Sequence, residues 1–316
     1  MYYSLMIDIF SYDGSLKRES LQNIGNAKDK MLWIDIQQIS GKEANMLKSV
    51  FGLHPLTIED LMHLNTRIKA EEFPDYLFCI FYGIKSETEL REVDFVLGKN
   101  FLITNHKKEI GAYTELKSSS QKLEALFKKG IEFIFHKLLD MEIDNFIPVL
   151  ENMDDHIESL EEKVVKKQTP QLLSRILKLK RDLIQVKKTA LPQREKIGLL
   201  VRSEYKYISK KAIPYFRDIH DHAIRVSDLV ENHREAITNT FDVYISAVSN
   251  NMNEVMKTLS IIATIALPLT VISGIFGTNF ANLPGEDSYY GFWFMLLGML
   301  LLSLGMIYYF RKKGWF

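Results

Sequence analysis

The sequence lacks the means for a disulfide framework, with one cysteine, Cys79, among 316 residues. Neither an intrachain disulfide nor a cysteine-rich metal site can form. Cys79 lies in the apolar run Leu77-Phe78-Cys79-Ile80-Phe81, where a free cysteine is expected to be buried core. Net charge is also missing, because 40 acidic residues offset 40 basic ones. A nucleic-acid partner calls for a basic excess, so none is expected. There is no phosphate loop, nucleophile elbow or metalloprotease signature; the chain reads as a non-enzyme. The histidines show no metal-ligand spacing: His220 and His222 are two apart and would point to different sides of a helix. Residues 1–10 alternate, include Asp8 and lack a basic n-region, so no signal peptide is expected.

Charge vanishes from two stretches, 259–276 and 289–310. A helix needs about 20 apolar residues to cross a bilayer core, and both stretches qualify. A charged remainder averages with them to a near-neutral mean hydropathy. The loop between them, 277–288, has no Lys or Arg and carries Glu286 and Asp287. Lys257 precedes the first stretch, and Arg311-Lys312-Lys313 follows the second. Basic residues stay cytoplasmic. The expectation is a multi-pass protein of the cell (inner) membrane, in contact with lipid, with both termini cytoplasmic and the loop outside. Two helices cannot enclose a polar path, so transport would require several copies around an axis.

Residues 1–115 mix strand and helix signals. Candidate strands are 2–10, 31–36, 77–84, 92–97 and 101–104, bounded by turns such as Asp13-Gly14. Segments 41–51 and 55–63 read as helices, the second with Pro55 in its first turn. Residues 116–254 are almost wholly helical. Pro148 should kink a helix, whereas Thr169-Pro170 and Ala190-Leu191-Pro192 fit helix boundaries. From Tyr215 to Phe276 only Gly274 and Pro268 interrupt, which predicts about 90 Å of helix at 1.5 Å per residue. The expected class is an α/β (α+β) cytoplasmic domain, a long helical stalk and a two-helix transmembrane hairpin. The stalk should end near 254, the first span should cover 255–276, and a basic tail should occupy 311–316.

Stepping along the long helix by alternating 4 and 3 from Asp242 meets Ser246, Ser249, Asn253, Met256, Ser260, Ala263, Leu267, Thr270, Gly274 and Gly277. Such a repeat is the seam of a parallel bundle. Here the seam is mostly small or polar. In a symmetric oligomer it would give polar rings separated by apolar constrictions, the way channels select and gate. Close packing of small residues is the other reading. It accounts for Ser260, Ala263 and Gly274, but not for Asp242 or Asn253, which are costly to bury unpaired.

The stretches Asn253-Glu254-Val255-Met256-Lys257, Pro268-Leu269-Thr270 and Gly274-Ile275-Phe276-Gly277-Thr278-Asn279-Phe280 resemble the CorA family of divalent metal transporters. So do Trp33-Ile34-Asp35, His54-Pro55-Leu56-Thr57-Ile58-Glu59-Asp60, Pro214-Tyr215-Phe216-Arg217-Asp218 and the closing Lys312-Lys313-Gly314-Trp315-Phe316. The resemblance covers the whole chain. It implies a funnel-shaped homopentameric channel whose stalk helix lines the pore. By the same resemblance Asp242, Asn253, Met256, Leu259, Leu267 and Thr270 line that pore, with Met256 and Leu259 as the apolar gate; the stripe adds Ala263 and Gly274 to the lining. Gly277, Thr278 and Asn279 would form the selectivity filter. The family signature is Gly-Met-Asn, so Thr278 departs from it; the zinc-associated ZntB branch also varies this position. A ring of amide oxygens suits Mg2+, which dehydrates reluctantly and keeps its waters. Outside the filter, Glu286 and Asp287 either concentrate cations or are plain solvated loop residues.

Asp140 and Asp218 align with acids that in the family hold a regulatory Mg2+ between subunits. Such an ion would cross-link acidic surfaces and hold the pore shut. A further ligand is expected among Glu87, Glu89 and Glu92. The acidic run Glu151, Asp154, Asp155, Glu158, Glu161 and Glu162 reads as a solvated helix face. The expected function is passive influx of Mg2+, with Co2+ or Ni2+ as further ions, down the electrochemical gradient. A doubly charged ion gains nearly 5 kcal/mol per 100 mV at about 2.3 kcal/mol per charge. The alternatives are a Zn2+ transporter of the ZntB type and a sensor for which the hairpin is only an anchor.

Overall fold

A computed structural model describes residues 6–63, 66–87, 89–202, 205–279, 283–285 and 288–315. The chain divides into two compact units, Met1–Phe241 and Asp242–Phe316.

The first unit is built on a mixed sheet of seven strands: β1 (Met6–Tyr12), β2 (Leu16–Glu19), β3 (Met31–Gln37), β4 (Lys69–Phe73), β5 (Tyr76–Ser86), β6 (Glu89–Gly98) and β7 (Phe101–His106). The order is β2-β1-β3-β7-β6-β5-β4. Among the described residues β3 and β7 run parallel, and the other neighbours are antiparallel. Strands covered on both faces read as continuous apolar runs. Accordingly, Leu32 to Ile36 and Tyr76 to Phe81 are buried without a break. One face packs on α1 (Gly41–Phe51) and α2 (Pro55–Met62), where Ile34, Ile36, Phe78 and Ile103 meet Leu47, Phe51 and Leu61. The other face meets α5 (Ile131–Asp144) through Phe95 and Phe135, whose ring centres are 5.0 Å apart. Cys79 is buried in this sheet, and burial pushes its thiol pKa well up.

The edge strands β2 and β4 were not expected. They read Leu-Lys-Arg-Glu and Lys-Ala-Glu-Glu-Phe, without the apolar content by which strands are recognised. Charged side chains are how exposed edges are protected from further pairing.

Several family-like motifs prove to be structural. Ser40 and Glu43 cap α1 reciprocally, and Gly52 closes it at φ 67°, a left-handed conformation that favours glycine. His54 Nδ1 accepts from Leu56 N at 3.2 Å at the start of α2, while the Tyr76 hydroxyl lies 2.7 Å from Thr57 Oγ1. Trp33 Nε1 donates to Thr104 Oγ1 at 3.1 Å. Asp35 is 2 % exposed and sits 3.1 Å from His106 Nε2 and 2.8 Å from Lys117 Nζ.

Between β7 and the long helix lie α3 (Gly111–Ser118), α4 (Ser120–Lys129), α5, α6 (Phe146–Lys166) and α7 (Pro170–Arg202). Pro148 falls in the first turn of α6, after a break at Asn145, which itself keeps helical dihedrals. The expected kink is thus a division into two helices. Pro170 begins α7, as its position before the helical run suggested. Pro192 does not bound a helix: α7 continues through it. A proline removes one helical hydrogen bond, but Ala190, Gln193 and Ile197 are buried on either side of it. Gln193 Oε1 also accepts from Tyr82 N of β5. These tertiary contacts hold the helix across the break.

The helix α8 (Ile213–Phe276) has 64 residues, and the boundary between the units falls within it. In the second unit its apolar half is followed by α9 (Gly291–Lys312). Both are long and apolar enough to cross a membrane.

Candidate functional site

The second unit contains the predicted stripe. From Asn250 to Phe276 the positions of α8 that lose exposure are Lys257, Ile261, Ile265, Pro268, Leu269 and Ile272. These lie on one side of the helix at about 100° per residue. Asn253, Met256, Ser260, Ala263, Leu267, Thr270 and Gly274 lie on the opposite side, and all are exposed, as is Asp242. Leu259 is exposed beside them. The single chain therefore leaves the whole stripe uncovered.

Two of the stripe hydroxyls are bound within the helix. Ser260 Oγ donates to the Met256 carbonyl at 2.8 Å, and Thr270 Oγ1 to that of Ala266 at 2.9 Å. Each of these two oxygens keeps acceptor capacity, so both hydroxyls can offer an oxygen ligand. Pro268 has no N–H, which leaves the Thr264 carbonyl without its helical partner.

The helix ends at the altered signature. Gly277 N donates to Ser273 O at 2.9 Å, Thr278 N to Ile275 O at 3.3 Å, and Thr278 Oγ1 to the same carbonyl at 2.8 Å. Thr278 thus caps the C-terminus of α8 with its own side chain. Asn279 follows, exposed. Residues 280–282 and the acids Glu286 and Asp287 lie outside the described residues.

A second constellation lies in the first unit. Asp140 and Asp144 are four apart on α5, and Asp218 and His222 are four apart on α8, so each pair shares a helix face. His222 Nδ1 is 2.8 Å from Asp144 Oδ1. One ligand atom each from Asp140, Asp144 and His222 lies within 4.8 Å of the others. Lys137 Nζ is 2.9 Å from Asp140. Burial pushes the His136 imidazole below its usual value, against the opposing pull of Asp140 and Asp218. Asp218 is exposed and not among the three clustered groups. His220 and His222 do point to different sides: His220 lies over Gly198 of α7, and His222 over Asp144. Spacing within one helix could not reveal the cluster, because the partners of His222 come from α5.

The three glutamates considered as a further ligand have partners of their own. Glu87 is 2.8 Å from His156 Nδ1, and Glu89 is 2.6 Å from Lys108 Nζ. Glu92 accepts from the Tyr82 hydroxyl at 2.7 Å.

Residues 28–312 match the family described as CorA-like Mg2+ transporter protein. The cobalt/magnesium transport protein CorA of Thermotoga maritima is 35% identical over 290 residues, which span 90% of this chain and 83% of that one. The protein of the same description from Methanocaldococcus jannaschii is 26% identical over 308 residues, 96% of this chain and 97% of that one. The complete structure of the CorA magnesium transporter from Methanocaldococcus jannaschii superposes with a TM-score of 0.85 at 23% identity, covering 100% of both chains. This likeness is one of fold, and it extends over the sheet unit and both apolar helices. With the family matched across most of its length, the chain belongs to the CorA-like Mg2+ transporter family.

Proposed function

We propose that this chain is one subunit of a homopentameric channel that passes Mg2+, and Co2+ as a further ion, across the cell membrane. The observation that carries this reading is the uncovered stripe of α8, polar or small over most of its length and ending at Gly277-Thr278-Asn279. A symmetric ring of such helices turns the stripe inward. Asn279 then forms the outer ring, whose amide oxygens hold a cation through its coordinated waters. Met256 and Leu259 form apolar constrictions at the inner end. Orientation with both termini cytoplasmic follows from Lys257 and Arg311-Lys312-Lys313. The hydroxyl of Thr278 is used within the helix end, so the substitution alters the turn behind the filter rather than adding an ion ligand. The match to CorA-like Mg2+ transporters and to a cobalt/magnesium transport protein favours Mg2+ over a Zn2+ pathway of the ZntB kind.

The proposed regulatory site is Asp140 and Asp218 of neighbouring subunits, with Asp144 and His222 clustered beside Asp140. The donor chemistry fits a divalent cation: carboxylates suit Mg2+, and an imidazole admits Co2+ or Ni2+ as well. An ion here would displace Lys137 from Asp140, a partly exposed pair that holds weakly.

The test is Mg2+ uptake into liposomes holding the purified protein, with Zn2+, Co2+ and Ni2+ as competitors. Saturable Mg2+ uptake that falls at least tenfold in Asn279→Ala is the expected result. Zn2+ uptake with little Mg2+ flux would move the chain to the zinc branch. No flux from a folded pentamer would overturn the channel reading.

A further inference from the structure

The last turn of the chain folds back on the start of the first apolar span. Trp315 N donates to Phe310 O at 3.0 Å, and its indole stacks on Phe310 with ring centres 5.5 Å apart. Lys257 Nζ donates to the Gly314 carbonyl at 3.3 Å and lies 5.9 Å from the Trp315 ring centre. Lys313 Nζ lies 5.6 Å from the Tyr309 ring, and Arg311 and Lys312 are exposed beside it. Among the described residues, the partners of Lys257 and Lys313 are thus a carbonyl and aromatic rings rather than carboxylates.

Next to this basic turn an open groove of about 580 Å³ runs between α8 and α9. Its walls are Ile261, Ile265 and Leu269 of α8 and Ile307 of α9, and Trp315 stands at one end. From Thr258 to Leu269 it follows α8 for about 16 Å at 1.5 Å per residue. Half the hydrocarbon core of a bilayer is about 15 Å. The groove therefore has an acyl chain's length and chemistry, and its mouth has the charge that attracts an anionic headgroup.

We propose that this groove is a binding site for an anionic phospholipid, with its phosphate held by Lys257 and Lys313 and one acyl chain between α8 and α9. A second copy of the chain is the competing occupant. It would bring an identical basic turn to the ring and leave the cations unneutralised, whereas an anionic lipid neutralises them. A zwitterionic lipid would fill the groove but set its own cation among the lysines. Because Lys257 adjoins Met256 and lies two residues from Leu259, the headgroup sits at the level of the proposed gate. The site rests on the membrane reading of α8 and α9, and the experiment separates the two.

The test uses the full chain in vesicles containing brominated phosphatidylglycerol or brominated phosphatidylcholine, which quench tryptophan on contact. Trp293→Phe leaves Trp315 as the reporter of the groove, and Trp315→Phe leaves Trp293 as the reporter of the far end of α9. Trp33, fully buried in the sheet, is a constant background. The expected result is that Trp315 favours phosphatidylglycerol at least fivefold while Trp293 shows no preference. Lys257→Gln and Lys313→Gln, each made in the Trp293→Phe background, should each reduce the preference by roughly fivefold. Equal quenching of Trp315 by both lipids overturns the proposal. Quenching of Trp293 but not Trp315 overturns it in favour of a neighbouring copy. Quenching of neither overturns the membrane reading itself.

Discussion

The two units spend their apolar residues in opposite ways. In the first, large side chains such as Trp33, Phe78, Phe95 and Phe135 are fully buried by the chain itself. In the second, only 6% of the most apolar stretch of α8 and none of that of α9 is buried, and Phe294, Leu301 and Leu267 are more than 60% exposed. The same residue types thus close a core in one unit and wait for a different medium in the other. A sheet covered on both faces completes its burial internally. Two isolated helices cannot, so their surface must meet lipid or further copies.

The sharpest break in this comparison is the removal of a charge that the first unit buries. Glu142 of α5 is 0% exposed and 2.7 Å from Arg91, itself 12% exposed. A Cβ at Gly83 would lie 1.6 Å from its carboxylate, so only glycine lets α5 approach the sheet this closely. Glu142→Ala leaves Arg91 buried without its partner and should cost about 3–5 kcal/mol in thermal or denaturant unfolding of the purified protein. An effect below about 1 kcal/mol would show the pair to be hydrated. Phe135→Ala, which empties a site between Phe95 and Phe216, should cost about 3–5 kcal/mol by the same measurement.

Acid should weaken the first unit more gradually. Burial pushes Asp35 up, but His106 and Lys117 outweigh it and hold the carboxyl below its usual value. Asp8 is likewise lowered, burial being outweighed by Lys117 and Arg18. A carboxylate with a depressed folded pKa contributes stability above its unfolded value, near 3.9, and loses it as pH falls through the folded one. Unfolding midpoints should therefore drop below about pH 4. In Asp35→Asn they should start lower at neutral pH and fall less steeply in acid. Parallel curves for the two proteins would count against the Asp35 ion pairs. Glu142 has the opposite sign, because burial, outweighing Arg91, raises its pKa. Its contribution is present below its unfolded value, near 4.3, and declines as pH rises from there through the folded one.

The smallest effect is expected where the comparison is most direct. Leu301, 61% exposed on α9, meets lipid whether it is long or short. Leu301→Ala should shift unfolding in detergent by less than about 0.5 kcal/mol, the range of surface substitutions. A cost near that of Phe135→Ala would mean that a neighbouring copy packs there.

Much of this was legible in the sequence because it depends on local pattern. The strands β3, β5, β6 and β7 announced themselves by apolar and β-branched runs. The helix through α8 announced itself by the scarcity of glycine and proline, and the stripe from Asn253 to Gly274 by its period. The features without a local signal owe their state to partners far away in sequence. The strands β2 and β4 are held by β1 and β5 despite their charges. Pro192 stays helical because Gln193 is anchored to β5. His222 gains its neighbours from a helix some 80 residues earlier.

The two apolar stretches, the basic turns that flank them and the small or polar stripe of α8 are written in the chain. Each follows from hydropathy, charge or helical period, which act along the chain. The side of α8 that loses exposure, the convergence of Asp140, Asp144 and His222, and the use of the Thr278 hydroxyl at the helix end are settled in three dimensions. Those outcomes depend on side-chain positions in space, and burial and hydrogen bonding between distant residues set them.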